Sequence, residues 1–213
     1  MTNQEPANQE PANHDPANHD PSSHELATPH LPAPLRDFVA GFDVLLESGA
    51  DEAAIVAEGG ALLRDLLRTD GWLSADAARP DPQYYRQYLL YLDPEARFSI
   101  VSFVWGPGQS TPIHDHTVWG LVGLLRGAEV SQAWRRLDDG SLVPDGPPVR
   151  LETGSVTAVS PSLGDIHQVF NAYEDRVSIG IHVYGADIGA VDRSVYTREG
   201  GRKPFRSGYA NAA

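Results

Sequence analysis

The sequence contains no cysteine among its 213 residues. This absence excludes disulfide-stapled scaffolds, thiolate zinc sites, iron–sulfur clusters and a cysteine nucleophile. Whatever chemistry the protein performs must therefore come from other side chains.

Basic residues and long apolar runs are also scarce. The chain has 16 Lys and Arg against 29 Asp and Glu, which gives a formal charge of −13. Nucleic acids and anionic lipid surfaces repel such a chain, and no local basic patch offsets the imbalance. The longest apolar stretches, 100–105 and 118–125, fall far short of the roughly 18 to 20 residues that span a bilayer. The N-terminus is polar and acidic, unlike a signal peptide. We therefore expect a cytoplasmic protein with no nucleic-acid and no membrane partner.

A five-residue repeat occupies the start of the chain. Residues 3–22 read NQEPA, NQEPA, NHDPA and NHDPS, and half of the eight histidines lie within 1–30. The repeat has almost nothing to bury, so we predict a disordered, Pro-, Asn- and acid-rich arm over 1–30 and a folded domain over 31–213. The arm is interpreted as a solubilising leader in preference to a metal-sequestering tail.

The body changes from helical to strand-like periodicity. Apolar residues recur every three or four positions over 35–46 and 52–67, which predicts two amphipathic helices within about 35–68. Short runs rich in β-branched and aromatic residues then alternate with turn residues over about 83–193. The predicted strands are 84–92, 97–105, 119–125, 129–137, 148–152, 155–160, 167–171 and 176–184. Eight short strands at this spacing favour a mainly β fold, a closed or double-sheet antiparallel barrel, with the helices packed outside.

Four histidines remain in the β region: His114, His116, His167 and His182. His114 and His116 are two residues apart, so in an extended segment both imidazoles leave the same face. Two ring nitrogens directed at one point are typical of a metal site, although a lone histidine is more often an ordinary core residue.

The segments around these histidines resemble the paired motifs of the cupin superfamily. In GQSTPIHDHTVWGLVGLLRG, a glycine precedes His114 by six residues and Gly127 closes the segment. In GSVTAVSPSLGDIHQVFN, a Gly, a Pro and then Gly-x-x-His-x-x-x-Asn end with His167 and Asn171. The resemblance implies the cupin double-stranded β-helix, a jelly-roll barrel.

One metal ligand of many cupins is absent. The first motif usually adds a glutamate four or five residues after its second histidine, and Gly120 and Leu121 stand at those places. The resemblance therefore implies a site of three histidines, His114, His116 and His167. Three neutral imidazoles suit Fe(II), Zn(II), Cu(II) or Ni(II) and leave open positions for substrate.

A third segment, GIHVYGAD, resembles part of the thiol dioxygenases, the cupin family that includes cysteine dioxygenase. That family has a Ser-x-His-x-Tyr triad, which His182 and Tyr184 match, whereas Gly180 replaces the serine. Ser178 lies two residues earlier, and strand alternation would place it on the same face as His182 and Tyr184. The resemblance implies a catalytic role for Tyr184 and His182, with Ser178 as a supporting residue.

Substrate-binding residues are implied in the same way. Cysteine dioxygenases carry an arginine for the substrate carboxylate on an early strand, and in the segment YRQYL here Gln87 takes that place. Gln87 and Arg193 together resemble the 3-mercaptopropionate dioxygenase branch, and so does Gly185-Ala186 in place of a Ser-Pro dipeptide. Arg86 is the competing residue, but neighbouring strand residues face opposite sides, so only one of the two enters the pocket. We choose Gln87.

The resemblance implies a non-haem Fe(II) enzyme that adds both atoms of O₂ to the sulfur of a small mercapto-carboxylate, 3-mercaptopropionate in preference to others, giving a sulfinate. Gln87 and Arg193 would hold the carboxylate, His182 would orient Tyr184, and Trp119 would lie beside the pocket. The expected partners are a small thiol and O₂.

Several alternatives stay open. The thiol could be cysteine or mercaptosuccinate. The protein could be a cupin of another enzyme class that uses Zn, Ni or Mn. It could also be a small-molecule sensor that binds an acid without consuming O₂.

Overall fold

The computed structural model describes residues 31–211. The repeat arm predicted over 1–30 lies outside these residues, and so do its four histidines. Within 31–211, no helix combines the length and the apolar character needed to cross a membrane.

Two helical segments precede the strands. The first, α1, spans Ala33–Glu47, and the second joins α2 (Glu52–Ala54), one π turn (Ile55–Gly59) and α3 (Gly60–Leu66). The second segment begins at Asp51, whose carboxylate accepts a hydrogen bond from a first-turn amide at 2.9 Å. Both predicted helices are therefore present. A short 3₁₀ turn, Asp76–Ala78, leads into the strands.

The described residues form twelve strands: β1 (Arg86–Leu92), β2 (Ser99–Trp105), β3 (Ile113–His114), β4 (Gly120–Arg126), β5 (Ala128–Arg136), β6 (Leu142–Pro144), β7 (Val149–Glu152), β8 (Val156–Val159), β9 (His167–Asn171), β10 (Ser178–Tyr184), β11 (Arg193–Tyr196) and β12 (Arg202–Phe205). All eight predicted strands occur, with ends that differ by three residues or fewer. The sequence pattern missed β3, β6, β11 and β12, which have two to four residues each.

The strands form two curled antiparallel sheets. One has the order β1-β2-β10-β4-β8, and the other has the order β12-β11-β3-β9-β5-β6, with β7 also paired to β5. Val101 and Phe103 of the first sheet share an apolar cluster with Val169 of the second, so the sheets enclose a common interior. The prediction of a mainly β barrel with a helical N-terminal segment is confirmed.

The first sheet is covered on both faces, which explains why β2 and β10 are buried along their whole length. One face of the sheet contributes Ile100 and Ile181 to a cluster with Phe42 of α1 and Leu63 of α3. The other face lines the barrel interior, where alternate residues of β10, including His182, point inward. The helices thus shield the outside of the sheet whose inner face carries candidate site residues.

Candidate metal centre and substrate pocket

Three buried histidines meet inside the barrel. His114 ends β3 and pairs across the sheet with His167, the first residue of β9. His116 lies two residues beyond β3, outside any strand, yet its ring faces the same point. The ring centroids are 4.7 to 4.9 Å apart, and one ring nitrogen of each histidine lies within 4.8 Å of the others. The structure thus brings together the three predicted metal ligands.

The Nδ1 atom of each ring has a protein partner, which leaves Nε2 for a metal. His114 Nδ1 lies 3.0 Å from the Pro112 carbonyl, His116 Nδ1 lies 3.1 Å from Asp165 Oδ1, and His167 Nδ1 lies 3.2 Å from Ser131 Oγ. Partners of this kind fix the tautomer and the ring orientation of metal-binding histidines.

Asp165 organises the loop that carries His116. Its Oδ1 accepts a hydrogen bond from the His116 amide at 3.0 Å, and its Oδ2 accepts one from the Thr117 amide at 2.9 Å. Thr117 has a φ of 60°, which is uncommon for a non-glycine residue. The carboxylate therefore stabilises both the loop conformation and the imidazole it presents.

The three imidazoles are neutral. Burial lowers the pKa of His114 and His167 well below the usual value, and burial also lowers the pKa of His116. The guanidinium of Arg193 acts in the same direction on all three. A preorganised set of three neutral nitrogen ligands fits a divalent transition metal.

The position of the absent fourth ligand is filled by a different side chain. Gly120 pairs with Tyr184 across β4 and β10, and a β-carbon at Gly120 would lie 2.8 Å from Cδ1 and Cε1 of the Tyr184 ring. Any side chain there would displace the tyrosine. The glycine at the usual glutamate position is thus the residue that makes room for Tyr184.

His182 and Tyr184 form a buried pair next to the histidine cluster. The Tyr184 hydroxyl lies 2.9 Å from His182 Nδ1, and the Tyr184 ring stacks on His116 at 5.5 Å. The Phe103 ring stacks on the His182 imidazole at 4.5 Å, so His182 is held by Phe103 and by the Tyr184 hydroxyl. Burial lowers the pKa of His182 to about 3 and raises that of Tyr184 above its usual value, so both are neutral.

Ser178 does not take part in this pair. Its hydroxyl accepts a hydrogen bond from the Ala128 amide at 3.1 Å and lies 2.9 Å from Asn171 Oδ1. These contacts join the start of β10 to β5 and β9. Ser178 cannot form a relay to His182, because side chains four residues apart on a strand are too far from each other.

Trp119, expected beside the pocket, packs against the helix-side cluster and is not among the described residues that line the cavity. Its ring packs 5.9 Å from the Phe42 ring of α1, and its carbonyl accepts a hydrogen bond from the Gly185 amide at 3.0 Å. A β-carbon at Gly185 would overlap the indole. Trp119 thus links the helical layer to the segment that follows Tyr184.

Adjacent residues of β1 face opposite ways. Gln87 is buried and lines a small cavity beside His114. Arg86 points outward and forms a salt bridge with Asp81. Strand alternation therefore directs Gln87 into the pocket and keeps Arg86 out of it.

The other side of the cavity is formed by Arg193 and the C-terminal residues. Arg193 is 4 % exposed, and its guanidinium lies 4.7 Å above the Phe205 ring. Arg193 Nη2 donates to Ser207 Oγ at 2.6 Å, and Gln87 Nε2 donates to the same oxygen at 3.3 Å. Nε of Arg193 has no partner among residues 31–211, nor does Arg193 form a salt bridge there. The cavity, about 20 Å³, thus carries a buried cation that has no salt-bridge partner among the described residues, and Asp115 is the acidic group that acts on it from nearby.

Three residues of this region were not predicted from the sequence. Asp165 lies within the second motif, two residues before His167. An acid so close to a predicted metal ligand could have indicated a hydrogen-bond partner for one of the histidines. Ser207 and Glu129 gave no local signal, because both reach the site through contacts between distant parts of the chain.

The fold and the histidine cluster define a class: the protein is a cupin whose three neutral imidazoles can hold a non-haem metal. Similar solved structures include a double-stranded β-helix protein from Klebsiella pneumoniae, at 16% identity, covering 64% of this chain and 97% of that chain with a TM-score of 0.42. A cupin superfamily protein from Desulfitobacterium hafniense has 15% identity, coverages of 56% and 94%, and a TM-score of 0.41. A Cupin 2 conserved barrel domain protein from Salinispora arenicola has 22% identity, coverages of 56% and 90%, and a TM-score of 0.39.

The family follows from the sequence match. The model of the family described as cysteine dioxygenase type I matches residues 61–194, more than half of the chain, and the chain belongs to this family. The match includes the three clustered histidines, the His182–Tyr184 pair and Arg193. Membership implies a dioxygenase.

Proposed function

We propose that the protein is an Fe(II)-dependent thiol dioxygenase that converts 3-mercaptopropionate to the corresponding sulfinate. The reaction is RSH + O₂ → RSO₂H, in which sulfur is oxidised, O₂ is reduced and both oxygen atoms stay in the product. The family match and the buried three-histidine cluster support the reaction class.

The single observation that carries the substrate class is the buried Arg193 guanidinium, which forms no salt bridge with a described carboxylate. A buried cation is costly unless an anion accompanies it. Arg193 and His114 line the same cavity, whose volume of about 20 Å³ suits a water molecule, so a short molecule that reaches both the guanidinium and the metal position must displace Ser207. A thiol joined to a carboxylate by a two-carbon link has the required shape and charge.

The cavity also distinguishes among thiols. None of the described residues that line it is acidic. The ammonium group of cysteine or cysteamine would therefore be buried without a counter-charge, and the second carboxylate of mercaptosuccinate would lack a second cation. The neutral amide of Gln87 adds a donor for the carboxylate without adding charge. These features favour 3-mercaptopropionate.

The residues of the chain prepare the reaction by position and charge. Iron, when bound by His114, His116 and His167, supplies the O₂ chemistry that oxidises sulfur. Arg193 and Gln87 bind and orient the carboxylate, taking over the hydrogen bonds that both now donate to Ser207.

Tyr184 completes the site beside His116, on which its ring stacks. Its buried hydroxyl keeps its proton, since burial raises the phenol pKa, and it can donate a hydrogen bond toward the reacting centre. His182 fixes the direction of that hydroxyl through the 2.9 Å contact.

O₂ uptake by the anaerobically Fe(II)-loaded protein tests this function. The thiols are 3-mercaptopropionate, cysteine, cysteamine and mercaptosuccinate, and mass spectrometry follows the products. We expect 3-mercaptopropionate to drive the fastest uptake and to gain two oxygen atoms. Uptake with none of the four, at one iron per chain, would reject the proposal and favour another enzyme class or a sensor.

A further inference from the structure

Among the buried polar groups without a hydrogen-bond partner in the described residues, two meet in the barrel interior. One is the carboxyl group of Glu129, which lies near the likewise unpartnered indole N–H of Trp105, and the other is Nε2 of His182. Glu129 is fully buried. Because buried polar groups in folded proteins are nearly always satisfied, an unpartnered carboxyl beside an unpartnered imidazole nitrogen requires a physical explanation.

The two groups come from opposite sheets and meet at Gly180. Glu129 lies on β5, where it pairs with Asn171 of β9, whereas His182 lies on β10. A β-carbon at Gly180 would stand 2.6 Å from His182 Nε2 and 3.0 Å from Glu129 Oε1. Both atoms therefore lie within 3.0 Å of one point, and the glycine leaves that point free.

We propose that Glu129 is a positioning residue for the His182–Tyr184 pair, and that its carboxyl group hydrogen-bonds to His182 Nε2 through the space that Gly180 leaves open. A side-chain rotation of Glu129 closes the contact. The hydrogen bond fixes the tautomer of His182 and, through it, the direction in which Tyr184 presents its hydroxyl.

The charge state of the carboxyl group fits this role. Burial raises the pKa of Glu129 to about 8, and the nearby Trp105 indole opposes this only in part. The carboxyl is therefore protonated at neutral pH, and its O–H donates to His182 Nε2. His182 Nδ1–H then donates to the Tyr184 oxygen, which leaves the Tyr184 hydroxyl proton free to point into the site.

The residue at position 180 determines whether Glu129 can reach His182. At position 180 the thiol dioxygenases that this chain resembles have a serine, whose hydroxyl is one O–H donor; a protonated carboxyl group is another. A serine at position 180 would collide with both His182 and Glu129, so the present sequence accommodates only one of the two donors.

The tautomer of His182 gives a readout that is independent of turnover. We would record ¹⁵N-histidine NMR spectra of the full chain loaded with diamagnetic Zn(II), and assign His182 by its loss in a His182→Gln variant. The wild type should show one tautomer, protonated at Nδ1. Glu129→Gln should keep it, because the amide N–H₂ donates to Nε2, whereas Glu129→Leu should populate the second tautomer.

Two further variants serve as rescue and control. Gly180→Ser combined with Glu129→Ala removes the collision with Glu129, and once the His182 ring shifts to clear the new β-carbon, the serine hydroxyl supplies the donor and should restore the wild-type tautomer. Trp134→Phe removes another buried, unpartnered polar group from the same strand as Glu129, and it should leave the His182 signals unchanged. Identical His182 shifts in wild type and Glu129→Leu would overturn the proposal.

The catalytic part of this inference rests on the proposed function. With 3-mercaptopropionate, Glu129→Leu should lower kcat by about 10- to 100-fold, the usual effect of losing a supporting hydrogen bond, at unchanged metal content. Glu129→Gln should retain most of the kcat. Inactive wild-type protein with the expected tautomer shifts would refute the thiol dioxygenase activity alone. Normal turnover in Glu129→Leu would refute the role of Glu129.

Discussion

Arg193 Nη2 donates a 2.6 Å hydrogen bond to the hydroxyl of Ser207, and this contact joins the start of β11 to the segment that follows β12. Phe205, the last residue of β12, supplies the ring on which the guanidinium rests. Because Gln87 also donates to the Ser207 oxygen, the C-terminal residues both close the cavity and occupy its two donors. A substrate carboxylate that takes these donors must release Ser207.

Replacement of Arg193 by Gln should selectively impair thiols that carry a carboxylate. Truncating one partner of a buried, hydrogen-bonded charge pair costs about 2 to 5 kcal/mol, so kcat/KM for 3-mercaptopropionate should fall roughly 30-fold or more. The much slower reaction of cysteamine, which has no carboxylate, should change little. Arg206→Gln is the matched control, because Arg206 pairs with Asp192 at the surface. Equal losses for both thiols would show that Arg193 does not bind the carboxylate.

Gln87 and Arg86 offer a paired test of strand alternation. Gln87→Ala should raise the KM for 3-mercaptopropionate about tenfold, the effect of one lost hydrogen bond of about 1.4 kcal/mol to a charged group. Arg86→Ala removes a partly buried ion pair with Asp81 outside the cavity and should leave KM unchanged. Steady-state O₂ consumption measures both. A larger effect from Arg86 would mean that the register of β1 is displaced by one residue.

Metal content should depend on Asp165 as well as on the three histidines. His116→Ala should abolish stoichiometric iron binding. Asp165→Asn should weaken iron affinity about 10- to 100-fold, because the amide does not provide the same charge-assisted partner for His116 Nδ1. Anaerobic titration with Fe(II) measures both, and Asp145→Asn at the surface is the control. Full iron occupancy in His116→Ala would remove this residue from the ligand set.

Much of the fold could be predicted because its longer elements carry a clear period. The helices at 35–46 and 52–67 and the eight predicted strands show apolar or β-rich patterns, and the histidine motifs indicated the metal cluster. Alternation along β1 predicted that only one of Gln87 and Arg86 faces inward, and the family resemblance selected Gln87, which is buried in the structure.

The remainder of the site depends on contacts that leave no local pattern. β3 has two residues, so His116 lies in a loop and Asp165, not strand geometry, orients it. Alternation placed Ser178 on the inner face but could not show that its hydroxyl is engaged by Asn171. Glu129 reaches His182 from the opposite sheet, and a single glycine makes that approach sterically allowed. Such relationships appear only when distant strands are assembled.

Stability should reveal the buried acid through its dependence on pH. Burial raises the pKa of Glu129 from 4.5 to about 8, so between these values the folded protein keeps a proton that the unfolded chain releases. The unfolded state then binds fewer protons, and the contribution of Glu129 to the free energy of unfolding falls as pH rises, by at most about 1.4 kcal/mol per pH unit. Glu129→Gln removes this contribution.

The histidines act in the opposite direction and must be separated from this effect. Burial lowers the pKa of His182 to about 3 and also lowers those of the three clustered histidines, so below pH 6.5 the unfolded chain binds more protons and stability rises with pH. Wild type and Glu129→Gln share these histidines, so their difference isolates the acid. Urea unfolding at equal metal content should show Glu129→Gln gaining on wild type steadily from pH 5 to 8. Parallel curves would mean that Glu129 ionises as readily in the folded protein as in the unfolded chain, and that it is not the proton donor to His182.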